Sequence, residues 1–349
     1  MSETEDKLKF DVRPPRETPI LVGHAAADAT LLDAYRSGRM AHGWLIGGPA
    51  GIGKATLAYR MARFVLAHPD PCAPEVLAAT SLDVDPEHPA ARLVASGAHG
   101  GLLTVQRVLN EKGVLRQVIR VEEVRETISF FGSTASAGGW RVCVVDTMDE
   151  LNVQGANALL KILEEPPARG LLLLVSHSPA RLLPTILSRC RRLTLRPLTP
   201  EEVVEVASRA TGLSADTPAL AEAAALADGS VSRALSLLTG RELKLQRSVA
   251  AVLDTLPAVD PLQVHAIGDL LPLNDREALA AFAAAVERWI EQRVASQAAR
   301  SDADVPRLAR LAEVWEKIGR AARDTEAYNL ERRPLVFSVF GQLAEAVER

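Results

Sequence analysis

A glycine-rich segment that ends in a lysine carries the clearest chemistry in this sequence. It reads Gly48-Pro-Ala-Gly-Ile-Gly-Lys54 and matches the phosphate-binding pattern G-x-x-x-x-G-K. Gly48, Gly51 and Gly53 permit backbone angles in which consecutive N–H groups enclose an anion, and Lys54 would reach the outer phosphates. A strand predicted over 42–46 precedes the segment, and a helical pattern follows it. The sequence therefore predicts a P-loop.

One residue after the lysine, the pattern is broken. P-loops end in Ser or Thr, whose hydroxyl binds Mg²⁺, but this sequence has Ala55. Thr56 comes one position later and faces another direction, because neighbouring residues on a helix do not share a face. We keep Thr56 as a candidate nucleotide contact. The phosphate-binding part is therefore predicted to be complete, while one metal ligand is missing.

A second catalytic position is also altered. The apolar stretch Arg141-Val-Cys-Val-Val-Asp146 predicts a buried strand that ends in an acid, so Asp146 takes the Walker B position. Thr147 follows, where P-loop ATPases commonly have a glutamate that orients the attacking water, and threonine has no carboxylate to act as that base. We interpret Asp149 as the N-cap of the next helix. The site is expected to accept ATP or ADP, to bind Mg²⁺ weakly or not at all, and to hydrolyse poorly.

Two further segments carry a resemblance to a known family. They are Asn157-Ala-Leu-Leu-Lys-Ile-Leu-Glu-Glu-Pro-Pro167 and Ser188-Arg189-Cys190, and both closely resemble the clamp-loader AAA+ proteins. The resemblance extends from about Gly23 to the C-terminus. It implies that Arg189 is an arginine finger, which enters the ATP site of a neighbouring subunit; the alternative is an arginine in a surface salt bridge. A finger combined with two missing catalytic groups is similar to the delta prime family of bacterial DNA polymerase III subunits.

The same resemblance suggests roles for three other residues. Ser176, or His177 beside it, lies at the sensor 1 position after a strand predicted over 170–176. Arg233 lies in a segment similar to sensor 2, which makes it a candidate γ-phosphate contact; an arginine at a domain interface is an equal alternative. His24 precedes a helix predicted over 28–37. It could face the adenine of a nucleotide, or be a surface or capping histidine.

The resemblance also implies the fold class and the domains. We expect an α/β P-loop (AAA+) domain with a parallel sheet, followed by a small helical lid and an all-α helical collar. The predicted boundaries are 1–16 for a flexible tail, 17–197 for the AAA+ domain, 198–240 for the lid and 241–349 for the collar, in which the helices serve oligomerisation.

Patterns within these domains predict several local features. Strands over 102–108 and 114–119 with a turn at 110–113 predict a hairpin, and Asn274 is a candidate helix cap. Thr199 is a candidate N-cap with Pro200 at the first helical position. The large side chains of the collar are expected to form its helix–helix core: Trp289, Trp315, Phe337 and Phe340.

Composition limits the remaining possibilities. The chain has 349 residues and a formal net charge of −4, so no broad basic surface is expected and any DNA contact would be local. No apolar run approaches the length of a membrane span, and residues 1–16 do not resemble a signal peptide. Many relatives carry four zinc-binding cysteines after the P-loop helix, whereas only Cys72 lies in that interval. We therefore expect a cytoplasmic protein with no zinc and no membrane association.

The function implied by the resemblance is loading of the sliding clamp onto primed DNA during replication. The expected partners are the tau/gamma and delta subunits, together with the clamp and primer–template DNA contacted through the complex. The chain would be a largely non-hydrolytic stator within the DNA polymerase holoenzyme. The alternative is a catalytically active tau/gamma-like motor subunit. A third possibility is a scaffold in which the P-loop is a relic and Arg189 has no partner.

Overall fold

The computed structural model describes residues 13–108, 116, 118–119, 121–132, 139–238, 241–273, 275–298, 305–328 and 330–348. The chain divides into two compact units, the first of which extends to Leu235 while the second begins at Ser236. The residues predicted to form the lid lie mostly in the first unit, together with the sheet. The finer division into AAA+ domain, lid and collar stays a prediction.

Five parallel strands form the sheet of the first unit within the described residues: β1 Gly43–Gly47, β2 Leu102–Gln106, β3 Arg141–Asp146, β4 Gly170–Ser176 and β5 Arg191–Thr194. Their order in the sheet is β2-β3-β4-β1-β5. Strands β1, β3 and β4 are apolar runs, as expected for strands covered on both faces. The predicted α/β fold with a parallel sheet is thus confirmed.

Helices cover both faces of this sheet. Alternate residues of each strand point to opposite faces, so that Val144 belongs to one hydrophobic core and Cys143 to another. The helices that begin in the first unit are α1 Ala25–Arg36, α2 Lys54–Ala67, α3 Pro74–Ala78, α4 Pro89–Ser96, α5 Val121–Gly132, α6 Val153–Glu164, α7 Pro184–Leu187, α8 Pro200–Thr211, α9 Pro218–Leu226 and α10 Val231–Leu238. The first core includes side chains of α1 and α2, and the second includes side chains of α5 and α6.

Local predictions in the first unit have mixed outcomes. Thr199 caps α8 in a capping box with Glu202, as predicted. The tail prediction is wrong for its last residues, because Pro15–Glu17 forms a 3₁₀ turn and Arg63 donates to the carbonyl of Arg16 at 3.1 Å. The turn at 110–113 and most of the second hairpin strand lie outside the described residues, and β2 is paired in parallel with β3.

Among the described residues, the helices that lie wholly in the second unit are α11 Arg241–Asp254, α12 Pro261–Asp269, α13 Arg276–Ala298, α14 Val305–Ala327 and α15 Arg332–Glu348. Phe340 is fully buried and packs edge-on against Phe282. The expectation for two other aromatic residues is wrong, since Trp315 is 41% and Phe337 43% exposed. Trp315 lies beside the buried stripe of α14 rather than on it, and α15 buries Val336 and Val339 instead of Phe337. Asn274 lies outside the described residues.

Among the helices that the structure describes, none is both long and apolar enough to cross a bilayer.

A buried ion pair fixes α2, the helix that follows the P-loop, to its surroundings. Arg60 Nε lies 2.9 Å from Asp28 Oδ1 of α1, and both side chains are more than nine-tenths buried. Arg60 also donates to Asp83 at 2.6 Å and to the carbonyl of Pro19 at 2.7 Å. The second oxygen of Asp28 accepts the N–H of Leu82 at 2.8 Å. One guanidinium therefore connects α1, α2 and the two loops beside them.

Replacing Arg60 with Met is expected to lower the free energy of unfolding by about 3–5 kcal/mol, because the carboxylate of Asp28 stays buried without its partner. Urea unfolding followed by circular dichroism measures the change. Arg209→Met is the matched control, since its pair with Glu205 is about half exposed and should contribute less than about 1 kcal/mol. Equal losses in the two variants would contradict this assignment.

Candidate functional site

The P-loop lies between the carboxyl end of β1 and the first turn of α2. Gly48, Gly51 and Gly53 all have positive φ, at 143°, 73° and 100°, where a side chain would be strained. Lys54 begins α2 and is 3% exposed, and its ammonium donates to the carbonyl of Pro49 within the same loop. The loop has the turn that its sequence predicts, and its lysine is engaged by the loop itself.

Groups from two other parts of the first unit also bind P-loop carbonyls. The N–H of Val231, at the start of α10, donates to the carbonyl of Gly51 at 2.9 Å. His24 Nε2 lies 2.7 Å from the carbonyl oxygen of Ile52. Ser230 occupies the space beside Gly51, since a Cβ on that glycine would stand 2.2 Å from the hydroxyl oxygen. The chain itself therefore closes the loop from both sides.

The position of His24 contradicts one of its two sequence interpretations. It directly precedes α1, but its side chain forms no capping hydrogen bond. It is also 4% exposed, which makes the interpretation as a surface or capping histidine wrong. Burial is the main cause that lowers its pKa, although the carbonyl of Ile52 opposes this effect. The contact of His24 with the P-loop is thus structural, and a role towards adenine stays a prediction.

Burial governs the charged groups of the site. It lowers the pKa of Lys54 from 10.5 to about 8, although Asp149 and Asp146 act in the opposite direction. Burial likewise raises the pKa of Asp146, which Lys54 and Arg107 partly offset. Charged forms are disfavoured in a low-dielectric environment unless they are paired. Lys54 and the two carboxylates therefore stabilise one another electrostatically.

The interpretation of Asp149 as a helix cap is wrong. Asn152 caps α6, where it accepts the N–H of Gly155 at 2.7 Å. The 3₁₀ turn Met148–Glu150 directs Asp149 to the end of β4 instead. There its carboxylate accepts three hydrogen bonds: from Ser176 Oγ at 3.2 Å and from the N–H groups of His177 and Ser178 at 2.6 and 3.0 Å. Ser176 and His177, the two candidates for the sensor 1 position, are therefore both hydrogen-bonded to Asp149.

Two other predicted contacts lie on neighbouring helices. Thr56 is half-buried in the first turn of α2. Arg233 lies on α10, two residues after the contact of Val231 with the P-loop, and pairs with Asp228 at 2.6 Å. The structure thus brings Arg233 and the P-loop to the same region of the first unit. Contact of either side chain with a nucleotide stays a prediction.

The residues of the site fit a phosphate better than a metal ion. The loop supplies backbone N–H groups at a helix N-terminus, which suit an anion. Ala55 offers no hydroxyl, so the loop supplies one ligand fewer for Mg²⁺ than a complete P-loop. In the part of the chain that the structure describes, no three His, Cys, Asp or Glu side chains form a group that could hold a metal. The expectation of no zinc stays a prediction.

Arg189 lies at the amino ends of the strands, opposite the carboxyl ends where the P-loop lies. β1 and β5 run parallel, with Trp44 beside Arg191, so Arg189 stands next to the amino end of β1 and the P-loop follows its carboxyl end. Gly43 marks this end, because a Cβ there would lie 3.6 Å from the carbonyl oxygen of Arg189. The five residue steps from Gly43 to Gly48 span about 16 Å at ~3.3 Å each. Arg189 therefore does not serve the P-loop of its own chain.

Comparison with known proteins gives consistent results. The family model described as DNA polymerase III, delta subunit, matches residues 23–199. A DNA polymerase III subunit delta' from Pseudomonas aeruginosa is 41% identical over 150 residues, which are 43% of this chain and 42% of that protein. The subunit delta' of Escherichia coli is 32% identical over 223 residues, or 64% of this chain and 62% of that protein. The matched part thus spans less than two thirds of these relatives.

Among solved structures, a DNA polymerase III gamma subunit-related protein from Thermotoga maritima aligns with 90% of this chain and 99% of its own, at 15% identity and a TM-score of 0.46.

The match to the family model covers just over half of the chain and includes the P-loop, the Walker B strand and the Ser-Arg-Cys motif. The likeness to delta prime subunits predicted from the sequence is confirmed by two named relatives. The chain belongs to the DNA polymerase III delta subunit family.

Proposed function

We propose that the chain is a non-hydrolytic subunit of a bacterial clamp loader, which presents Arg189 to the ATP site of a neighbouring subunit. In this role it braces a ring that loads the sliding clamp onto primed DNA during replication. Its direct partners are the tau/gamma and delta subunits, and it meets the clamp and the primer–template DNA through the complex. The assembly works in the cytoplasm as part of the DNA polymerase holoenzyme.

The observation that carries this proposal is the position of Arg189. It lies at the amino edge of the sheet, about 16 Å along β1 from the P-loop, and its side chain is 34% exposed. An arginine so placed can bind a phosphate only on another molecule. A guanidinium delivered in this way stabilises the negative charge of a transferring phosphoryl group.

The state of the P-loop supports the non-hydrolytic part of the proposal. Ala55 and Thr147 lack the metal-binding hydroxyl and the water-orienting carboxylate, and each such group commonly contributes about a hundred- to a thousandfold to the rate. The carbonyls of Pro49, Gly51 and Ile52 accept hydrogen bonds from the chain itself. The loop therefore needs no nucleotide to keep its shape.

The alternative is an active motor subunit. The complete glycine pattern and Lys54 favour it, because these are the parts of a P-loop that bind phosphates. The ammonium of Lys54 binds the carbonyl of Pro49 within the same loop, a contact that does not depend on turnover, and this weakens the inference from the presence of the lysine. The two ideas differ in the activity of the isolated chain.

Replacing Arg189 with Ala is expected to lower ATP hydrolysis by the assembled loader about a hundredfold or more, because the neighbouring site loses its finger. Steady-state turnover of the reconstituted complex with clamp and primed DNA measures this loss. Arg192→Ala is the matched control, since Arg192 is exposed on β5 of the same sheet and should leave turnover unchanged. Full activity of Arg189→Ala would favour the pure scaffold.

The purified chain alone is expected to show no ATP turnover in the presence of Mg²⁺, because two catalytic groups are missing. Release of phosphate over several hours, compared with the complete loader, measures it. Turnover that disappears in Lys54→Ala would identify the chain as a motor and overturn the non-hydrolytic assignment.

Between pH about 8 and about 10, the free energy of unfolding of the chain is expected to rise relative to that of the variant Lys54→Met. In this range the unfolded lysine, with a pKa of 10.5, binds more protons than the folded one, with a pKa of about 8, and stability then rises with pH. Urea unfolding of both proteins across this range gives the difference. A difference that stays constant with pH would show that Lys54 keeps its ordinary pKa and is not buried as described.

A further inference from the structure

The guanidinium of Arg189 is held by groups from two different elements. Its Nη1 donates to the carbonyl of Thr185 at 3.0 Å and to Ser188 Oγ at 3.2 Å, both in or next to α7 and close in sequence. Its Nη2 lies 2.8 Å from Glu164 Oε1, in the last turn of α6. Glu164 is therefore the contact that fixes the side chain relative to another helix.

The backbone that carries Glu164 is itself anchored to β1. The carbonyl of Leu163 lies 3.0 Å from His42 Nε2. The Leu163 side chain packs against Gly43, where a Cβ would come within 2.8 Å of it. The sulfur of Cys190, the next residue after Arg189, would stand 3.4 Å from the same Cβ. The end of α6 and the start of β5 thus meet at one fixed point of the sheet.

The electrostatic setting also favours a cation at this place. The C-terminal end of a helix carries partial negative charge, and Glu164 adds a carboxylate there. An arginine side chain has many rotamers, and ordering them opposes binding. Contacts that order the side chain beforehand remove this cost from the later encounter with a phosphate. Guanidinium has five N–H donors, so donors remain for a phosphate while these contacts persist.

We propose that Glu164 is a positioning residue for the arginine finger: its carboxylate holds Arg189 in the orientation that meets the phosphates of the neighbouring subunit's ATP. This inference rests on the proposed function. Glu164 itself does not touch the nucleotide, and it acts through Arg189 alone. Its contribution therefore belongs to the transition state that the finger stabilises, and not to the binding of ATP.

The test uses the reconstituted loader with clamp and primed DNA, and it measures kcat and KM for ATP. Glu164→Ala is expected to lower kcat about two- to fivefold, the size of effect that a half-exposed ion pair gives, with KM unchanged because the finger acts in the transition state. Glu164→Gln keeps an oxygen acceptor, so its kcat should lie between those of the wild type and Glu164→Ala. Glu165→Ala is the matched control, since Glu165 is the next residue and equally exposed; it should behave as the wild type.

A double variant separates positioning from a general structural effect. If Glu164 acts through Arg189, Glu164→Ala has no further effect on kcat in the Arg189→Ala background. The same proportional loss of kcat in both backgrounds would overturn the inference. An unchanged or increased kcat for Glu164→Ala, together with a strong loss for Arg189→Ala, would overturn it as well. In both cases the proposed role of Arg189 as a finger would stand. Wild-type turnover of Arg189→Ala would instead overturn the proposed function itself.

Discussion

Hydrogen bonds to the carbonyl groups of the P-loop are the interaction on which the site depends. The carbonyl of the buried Ile52 needs a partner, which His24 supplies, and Lys54 and Val231 bind the carbonyls of Pro49 and Gly51. Gly51 makes this possible, because its missing Cβ leaves room for the start of α10. The hydrogen bond from Val231 to Gly51 therefore both holds the shape of the loop and attaches the start of α10 to it. The loop is thus held in shape by groups of the chain itself.

The parallel sheet places the predicted nucleotide-site residues and Arg189 at opposite ends of its strands. Loops at the carboxyl edge, after β1, β3 and β4, hold the nucleotide-site residues, while Arg189 precedes β5 at the amino edge. α6 runs from one edge to the other, since it begins shortly after Asp146 and ends at Glu164. The proposed finger and the altered positions Ala55 and Thr147 therefore belong to opposite ends of the strands.

Local patterns predicted much of this fold, and tertiary contacts account for the rest. The buried strands, the P-loop turn and the capping box at Thr199 depend on nearby residues, so their sequences were sufficient. Asp149 was misassigned because its partners lie 27 to 29 residues away, at the end of β4. The same limit concealed the pairing of Glu164 with Arg189. Trp315 and Phe337 show that a large apolar side chain does not by itself indicate a core position, since the helix face decides.

Lys54 bears on how such sites are interpreted in general. A P-loop lysine is usually taken as a sign of nucleotide hydrolysis, but in this chain its ammonium binds the carbonyl of Pro49 and balances the charges of Asp146 and Asp149. Its contact with the Pro49 carbonyl does not depend on bound ATP. The presence of the lysine therefore does not by itself indicate turnover. The hydroxyl that binds Mg²⁺ and the carboxylate that orients the attacking water act in hydrolysis itself, so Ala55 and Thr147 mark the positions that better indicate turnover.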